Sequence, residues 1–260
     1  MNNPDFSSKS SHNSLSQTQE PNPPQNLQTQ ISVPIIGYHR SPLGQKFGAP
    51  RQPNLVALPS HIEFVPPFDT KDAFVGIENY SHLWVFWQFH HNKAQANFRP
   101  QVRPPRLGGN EKLGVFATRS MYRPSALGLS VVALEGVQVI DNKVVLNITG
   151  ADFIDGTPII DIKPYLPYAD SVPAAVSGEI STPAVKSVRF DERAKTACQT
   201  LGIDENTQQI IADLIAQDPR PAYRQHETDI VSTMRYKAVD VDFMMNKCGE
   251  MVVEHIRVVK

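Results

Sequence analysis

LSVVALEGVQVIDNKVVLNIT, Leu129 to Thr149, decides how the rest of the chain is read. Leu129–Val139 and Lys143–Thr149 are dominated by valine, isoleucine and leucine, and the Asp141-Asn142 pair between them is turn chemistry. Two such runs flanking a turn read as strands. Upstream, Leu83 to Phe89 (LWVFWQF) is short, aromatic and bounded by polar residues, which favours a buried strand over a helix. Gly114–Ala117 gives a further short strand. Ile31–Tyr38 (ISVPIIGY) reads as the first, with Pro34 arguing for an edge or a bulge. Downstream, Thr157–Ile162 adds one more. Many short strands joined by Gly/Pro turns, with little helical periodicity before Val185, predict a mainly β architecture, an antiparallel barrel or sandwich. No strand–glycine loop–helix unit and no GxGxxG occur, which argues against a Rossmann nucleotide domain.

The 260 residues leave room for a second, smaller unit. Residues 1–30 hold only four strongly apolar side chains (Met1, Phe6, Leu15, Leu27) among Ser, Asn, Gln and Pro, and are expected to form a disordered tail. The β unit then spans 31–170. SVPAAVSGEISTPAVKS, residues 171–187, has the small, proline-marked profile of a linker. Residues 188–260 read as α+β. Asp191–Leu201 and Asp204–Ala216 are helices, the second with an apolar stripe of Ile210, Ile211, Leu214 and Ile215 and with Asp204 as its cap. Asp218-Pro219 stops it, and Val239–Met245 with Met251–Val259 alternate like a hairpin around Lys247–Gly249. Two cysteines, Cys198 and Cys248, make no disulfide framework, and no CxxC or HxxxH spacing supports a metal, so a reducing cytoplasm is the expected setting. No apolar run is long enough to cross a membrane, and no signal-peptide pattern is present.

Net charge is −1, but the charge is unevenly spread. RPQVRPPRLGGNEKLGVFATRSMYRPSALGLS, Arg99 to Ser130, carries five arginines and one lysine against one glutamate, interleaved with Pro105, Gly108, Gly109, Gly114, Pro124 and Gly128. Proline and glycine shape loops without strand pairing, and guanidinium forks held on such loops suit phosphate, carboxylate or a base. Three other patches share this chemistry: Arg51 and Gln52 in APRQP, His90-His91 after the aromatic strand, and Asp152, Asp155 and Asp161 in DFIDGTPIIDIKPYLPY. Taken singly, each has a bland alternative: a solvated face, a half-core histidine pair, or a Gly turn.

In combination, IENYSHLWVFWQFHH, RPPRLGGNEKLGVFATRSMYRPSALGLS and DFIDGTPIIDIKPYLPYAD closely resemble the TrmO (TsaA-like) family of S-adenosylmethionine-dependent tRNA methyltransferases. The resemblance covers roughly Val33 to Asp170 with APRQP included, and extends weakly to AQDPRPAYR, Ala216 to Arg224. It implies a small antiparallel β-barrel outside the Rossmann methyltransferases, a homodimer, and methylation of N6 of N6-threonylcarbamoyladenosine next to the tRNA anticodon. The S-adenosyl-L-methionine site would take Pro50, Arg51, Gln52, His90, His91, Arg119, Leu129, Asp155, Gly156, Thr157 and Pro158. Arg103, Arg106, Arg123, Arg220, Tyr223 and Arg224 would contact RNA. The resemblance names no catalytic base; Asp155 and His91 are the motif groups able to take a proton. The chain departs from the family's RPNPIG by reading Ser125-Ala126 in place of Asn-Pro. The competing class is a non-catalytic RNA-binding barrel in which Phe116, Tyr122 and His90 stack on bases. A metal hydrolase built on His90, His91 and Asp155 has no metal-ligand spacing behind it.

Overall fold

Every second side chain of HLWVFWQ is buried, as a pleated strand with one face on a core requires. The computed structural model describes residues 31–92, 97–104, 111–141, 143–177 and 183–259. Along it run β1 (Gly37–Arg40), β2 (Pro59–Phe64), β3 (His82–Gln88), β4 (Gln101–Val102), β5 (Leu113–Gly114), β6 (Leu127–Ile140), β7 (Lys143–Thr149) and β8 (Pro158–Pro164). A single helical turn α1 (Pro167–Asp170), β9 (Val188–Phe190), α2 (Glu192–Leu201), α3 (Glu205–Ala216), β10 (Ser232–Tyr236), β11 (Val239–Met245) and β12 (Met251–Val258) follow. The expected tail over 1–30, Asn142 of the turn and Arg106 lie outside the described residues.

Six strands form a closed barrel in the order β1-β2-β7-β6-β3-β8, and every pairing is antiparallel. The ring closes where Gly37 and Tyr38 meet Ile159 and Pro158. Ile62, Phe64, Leu83, Val85, Val132, Leu146, Ile148 and Ile159 fill it. Trp87 faces Gly128 across the β3–β6 pair, and a Cβ there would sit 2.2 Å from the indole. Gly128 is therefore demanded by the close approach of Trp87.

Two expected strands are corrected. Residues 31–36 are not in a strand; the first strand is Gly37–Arg40, where pairing to both β2 and β8 becomes available. Gly114 ends β5, and Val115–Ala117 is a 3-10 turn closed by the Thr118 N–H donating to Val115 O. β2, β4, β9 and β10 have no counterpart in the periodicity argument.

The second sheet has the order β10-β11-β12-β9, with β9 parallel to β12. Asp191 caps α2 by accepting from Ala194 N (2.9 Å), and Asp204 caps α3 by accepting from Thr207 N (2.7 Å). Ile211, Leu214 and Ile215 pack on Met234, Val241, Phe243, Met251, Val253 and Ile256. The same cluster contains Leu43, Val56 and Leu58 from the segment joining β1 to β2. A loop of the barrel thus supplies part of the second core.

Candidate active site

The β1–β2 connection carries Pro50, Arg51 and Gln52, and three sets of bonds fix it. Leu43, Val56 and Leu58 anchor it in the second core. Asn54 donates from its backbone N to Gly150 O (2.9 Å) and from Nδ2 to Val131 O (3.0 Å). Arg51 Nη2 donates to Arg220 O (2.7 Å) and Asp218 O (3.3 Å).

Gln52 lies beside Arg119, whose Nη1 donates to Gln52 Oε1 (2.5 Å), while Gln52 Nε2 donates to Arg51 O (2.6 Å). The 115–126 loop is tied to the end of β3 by Phe89 N donating to Ala126 O (2.8 Å). His90 and His91 follow, their ring centroids 4.1 Å apart. Lys46 Nζ donates to His91 O (3.1 Å) and to Asn92 Oδ1. Gly156 has φ +71, and a Cβ on it would come within 3.9 Å of His90 Nε2, so the 155–158 turn faces His90. Asp155 Oδ1 accepts from Ser41 N (3.0 Å), its own N donates to Leu43 O (2.8 Å), and Gly156 N donates to His39 O (2.8 Å). Thr157 is buried with its Oγ1 donating to Ile154 O (2.7 Å), and Pro158 opens β8. Among the expected cofactor residues, Pro50 to Gln52, His90, His91, Arg119 and Asp155 to Pro158 are brought onto connected loops. Leu129 belongs to the adjoining stretch of β6, with its side chain half exposed.

Burial, reinforced by His91 and Lys46, holds the His90 pKa below its ordinary value. His39 is fully buried with Nδ1 on Ile154 O (3.0 Å) and Nε2 unpartnered, and burial lowers its pKa to about 4. Asp152 moves the other way. Burial pushes its carboxyl up to about 6, against the opposing pull of the Ser130 hydroxyl and the Arg119 charge.

Among the residues expected to contact RNA, Arg103 is exposed, and Arg123 sits 5.9 Å over the Phe116 ring while its Nη1 donates to Thr118 O (2.7 Å). Phe116, 69% exposed, stacks on Phe98 at 6.2 Å. Tyr223 is 73% exposed, and Arg224 pairs with Glu227 at 2.8 Å. Arg220 is a correction. It is 2% exposed, forms a two-pronged pair with Asp218 (2.8 and 2.9 Å), and donates to Glu227 O and Gln225 O. Its guanidinium is buried and spent on partners inside the protein.

The Ser125-Ala126 departure has a local consequence. Ala126 adopts φ +50, and its N–H donates to Arg123 O (3.0 Å). Proline can do neither, so this loop takes a course that the family's Asn-Pro would not follow.

Motif reasoning left Ser130 and Lys46 unassigned, and singled out Asp152 without a role. The available signal for the first was the alternation of β6, which turns Ser130 inward next to outward Leu129. Among the described residues no group of three or more His, Cys, Asp or Glu could hold a metal ion, and no helix is long and apolar enough to cross a membrane. An open groove between α2 and β12, lined by Glu192, Thr196, His255 and Arg257, contains none of the motif residues.

Two family models match the chain: the tRNA-methyltransferase O N-terminal domain over residues 38–171 and the TrmO C-terminal domain over residues 183–259. A protein of Escherichia coli (strain K12) named tRNA (adenine(37)-N6)-methyltransferase is 42% identical over 196 residues, 74% of this chain and 83% of that one. A putative S-adenosylmethionine-dependent methyltransferase of Pseudomonas aeruginosa is 44% identical over 200 residues, 75% of this chain and 84% of that one. The crystal structure of TrmO from P. aeruginosa superposes with a TM-score of 0.71 at 33% identity, covering 88% of this chain and 98% of that chain. With both family models satisfied and the fold shared nearly end to end, the chain belongs to the TrmO family.

Proposed function

We propose that this protein transfers a methyl group from S-adenosylmethionine to N6 of the adenosine at position 37 of tRNA, in its N6-threonylcarbamoyl form. The observation that carries the reading is the convergence of Gln52, Arg119, the His90-His91 pair and the Asp155–Pro158 turn on bonded loops, in a chain whose relatives are named for that reaction. The residues present fit the cofactor. Bound there, it supplies an electrophilic methyl on a sulfonium. Arg119 is suited to the methionine carboxylate, since Arg51 is already directed at the carbonyls of Asp218 and Arg220. Backbone at Asp155–Thr157 suits the adenine or ribose. Positioning is then the main task, because methyl transfer is an in-line displacement.

The barrel 31–170 is read as the cofactor domain, 171–187 as the connection, and 188–260 as support for the RNA face. Arg103, Arg123, Tyr223 and Arg224 are the cations and aromatic offered to RNA. The Phe98–Phe116 stack beneath Arg123 suits an unpaired base. A cytoplasmic, metal-free homodimer completes the reading; light scattering that gave one chain's mass for a fully active sample would remove the dimer.

The test is isothermal titration with S-adenosylmethionine, followed by mass spectrometry of tRNA nucleosides. Arg119→Ala is expected to weaken the cofactor at least tenfold, about 1.4 kcal/mol. Unchanged binding in that variant would remove the assigned site. A gain of one methyl on the threonylcarbamoyl nucleoside supports the enzyme. Binding of tRNA that ignores the cofactor, with no methyl gained, supports the non-catalytic barrel instead.

A further inference from the structure

The acceptor in the proposed reaction is an amide-like nitrogen, a poor nucleophile until its proton is removed. The Asp155 carboxylate accepts from the Ser41 backbone N–H. Asp152 is differently held. Trp87 Nε1 donates to Ser130 Oγ (3.0 Å), and Ser130 Oγ donates to Asp152 Oδ1 (2.5 Å). This relay is fixed from three strands' worth of structure: Trp87 on β3, Ser130 on β6, and the segment after β7. The cofactor loop is bonded to both of its neighbours, through Asn54 to Gly150, two residues before Asp152, and to Val131, one after Ser130. Arg119 is the charged side chain whose field reaches the carboxyl.

We propose that Asp152 is the proton acceptor of the methyl transfer and that Ser130, oriented by Trp87, is its positioning residue. The assignment rests on the functional reading above. As N6 gains the methyl and the carbon–sulfur bond opens toward sulfur, the N6 proton passes to the Asp152 carboxylate. The products are a neutral thioether, the methylated nitrogen and a neutral carboxylic acid, so charge and atoms balance. Return of that proton to water resets the site. A carboxyl titrating near 6 is ionised at neutral pH yet basic enough to accept a proton.

Single-turnover transfer to tRNA carrying N6-threonylcarbamoyladenosine, followed from pH 5 to 8, tests this. Wild-type rates should rise tenfold per pH unit on the acid side and level above the carboxyl's titration. Asp152→Asn should keep cofactor and tRNA affinity within about threefold, slow transfer by about 10²–10⁴-fold, and lose the acid limb. Ser130→Ala removes the bond that holds the Asp152 pKa down, so its acid limb should move to higher pH, a readout that a packing role would not shift. Asp152→Asn transferring within threefold of wild type at pH 7.5, or losing rate only through cofactor affinity, overturns the assignment. Wild-type protein that binds cofactor but methylates no tRNA overturns the functional reading and this inference with it.

Discussion

Burial lowers the pKa of His39 and raises that of Asp152, and the two shifts tie stability to pH in opposite directions. For His39 the folded pKa, about 4, lies below the ordinary 6.5. The unfolded chain therefore binds more protons between these values, and stability is full above 6.5 and lost as pH falls. For Asp152 the folded pKa, about 6, lies above the ordinary 3.8, so stability is full at low pH and lost as pH rises through that window. Each contribution is on the order of 3 kcal/mol. Asp152→Asn removes the falling contribution alone. Its urea-unfolding free energy, relative to wild type, should climb by about 3 kcal/mol between pH 4 and 6 and then level. A flat difference would show that the Asp152 carboxyl titrates normally. The motifs picked out most of the residues that share these connected loops, because strand ends and Gly turns are readable in sequence. Nothing in ADFIDG separates Asp152 from Asp155, since burial and a serine 22 positions away are what divide them.

At the scale of elements, Arg220 shows how a charge can mislead. In DPRPAYR an arginine beside an exposed tyrosine reads as an RNA contact, yet the Asp218 two residues earlier receives its guanidinium in a closed pair. Arg220→Met would leave the Asp218 carboxylate buried and unpaired and would slacken the carbonyls that hold Arg51. A destabilisation of about 3–5 kcal/mol is expected in thermal or urea unfolding. A change below about 1 kcal/mol would mean that the pair is not buried in solution. β7 and the two capped helices were legible because their signals are local: an apolar run beside a turn, an Asp cap, an apolar stripe. β9 was not, because three residues are held as a strand only by parallel pairing to β12, more than 60 positions on. The 3-10 turn at Val115–Ala117 escaped for a related reason, since Val115 N bonds to Pro100 O outside any ladder.

Across the whole molecule, the barrel and the C-terminal sheet share side chains as well as a backbone. Leu43, Val56 and Leu58 are each worth about 2 kcal/mol of burial against the second core. A chain truncated after Val185 should therefore expose them, bind a hydrophobic dye, and hold S-adenosylmethionine at least tenfold more weakly by titration, because the Arg51 loop loses its anchors. Full-strength binding by that truncated chain would mean that the loop keeps its shape unaided. The sharing also sets an order of events during synthesis. Leu43 leaves the ribosome about 200 residues ahead of Met251, Val253 and Ile256 of its cluster. The barrel's strands are complete once Pro164 has emerged, but the loop bearing Arg51 and Gln52 must wait for nearly a hundred further residues before it can settle. The newborn protein can close its barrel well before the Arg51–Gln52 loop has the partners that hold it.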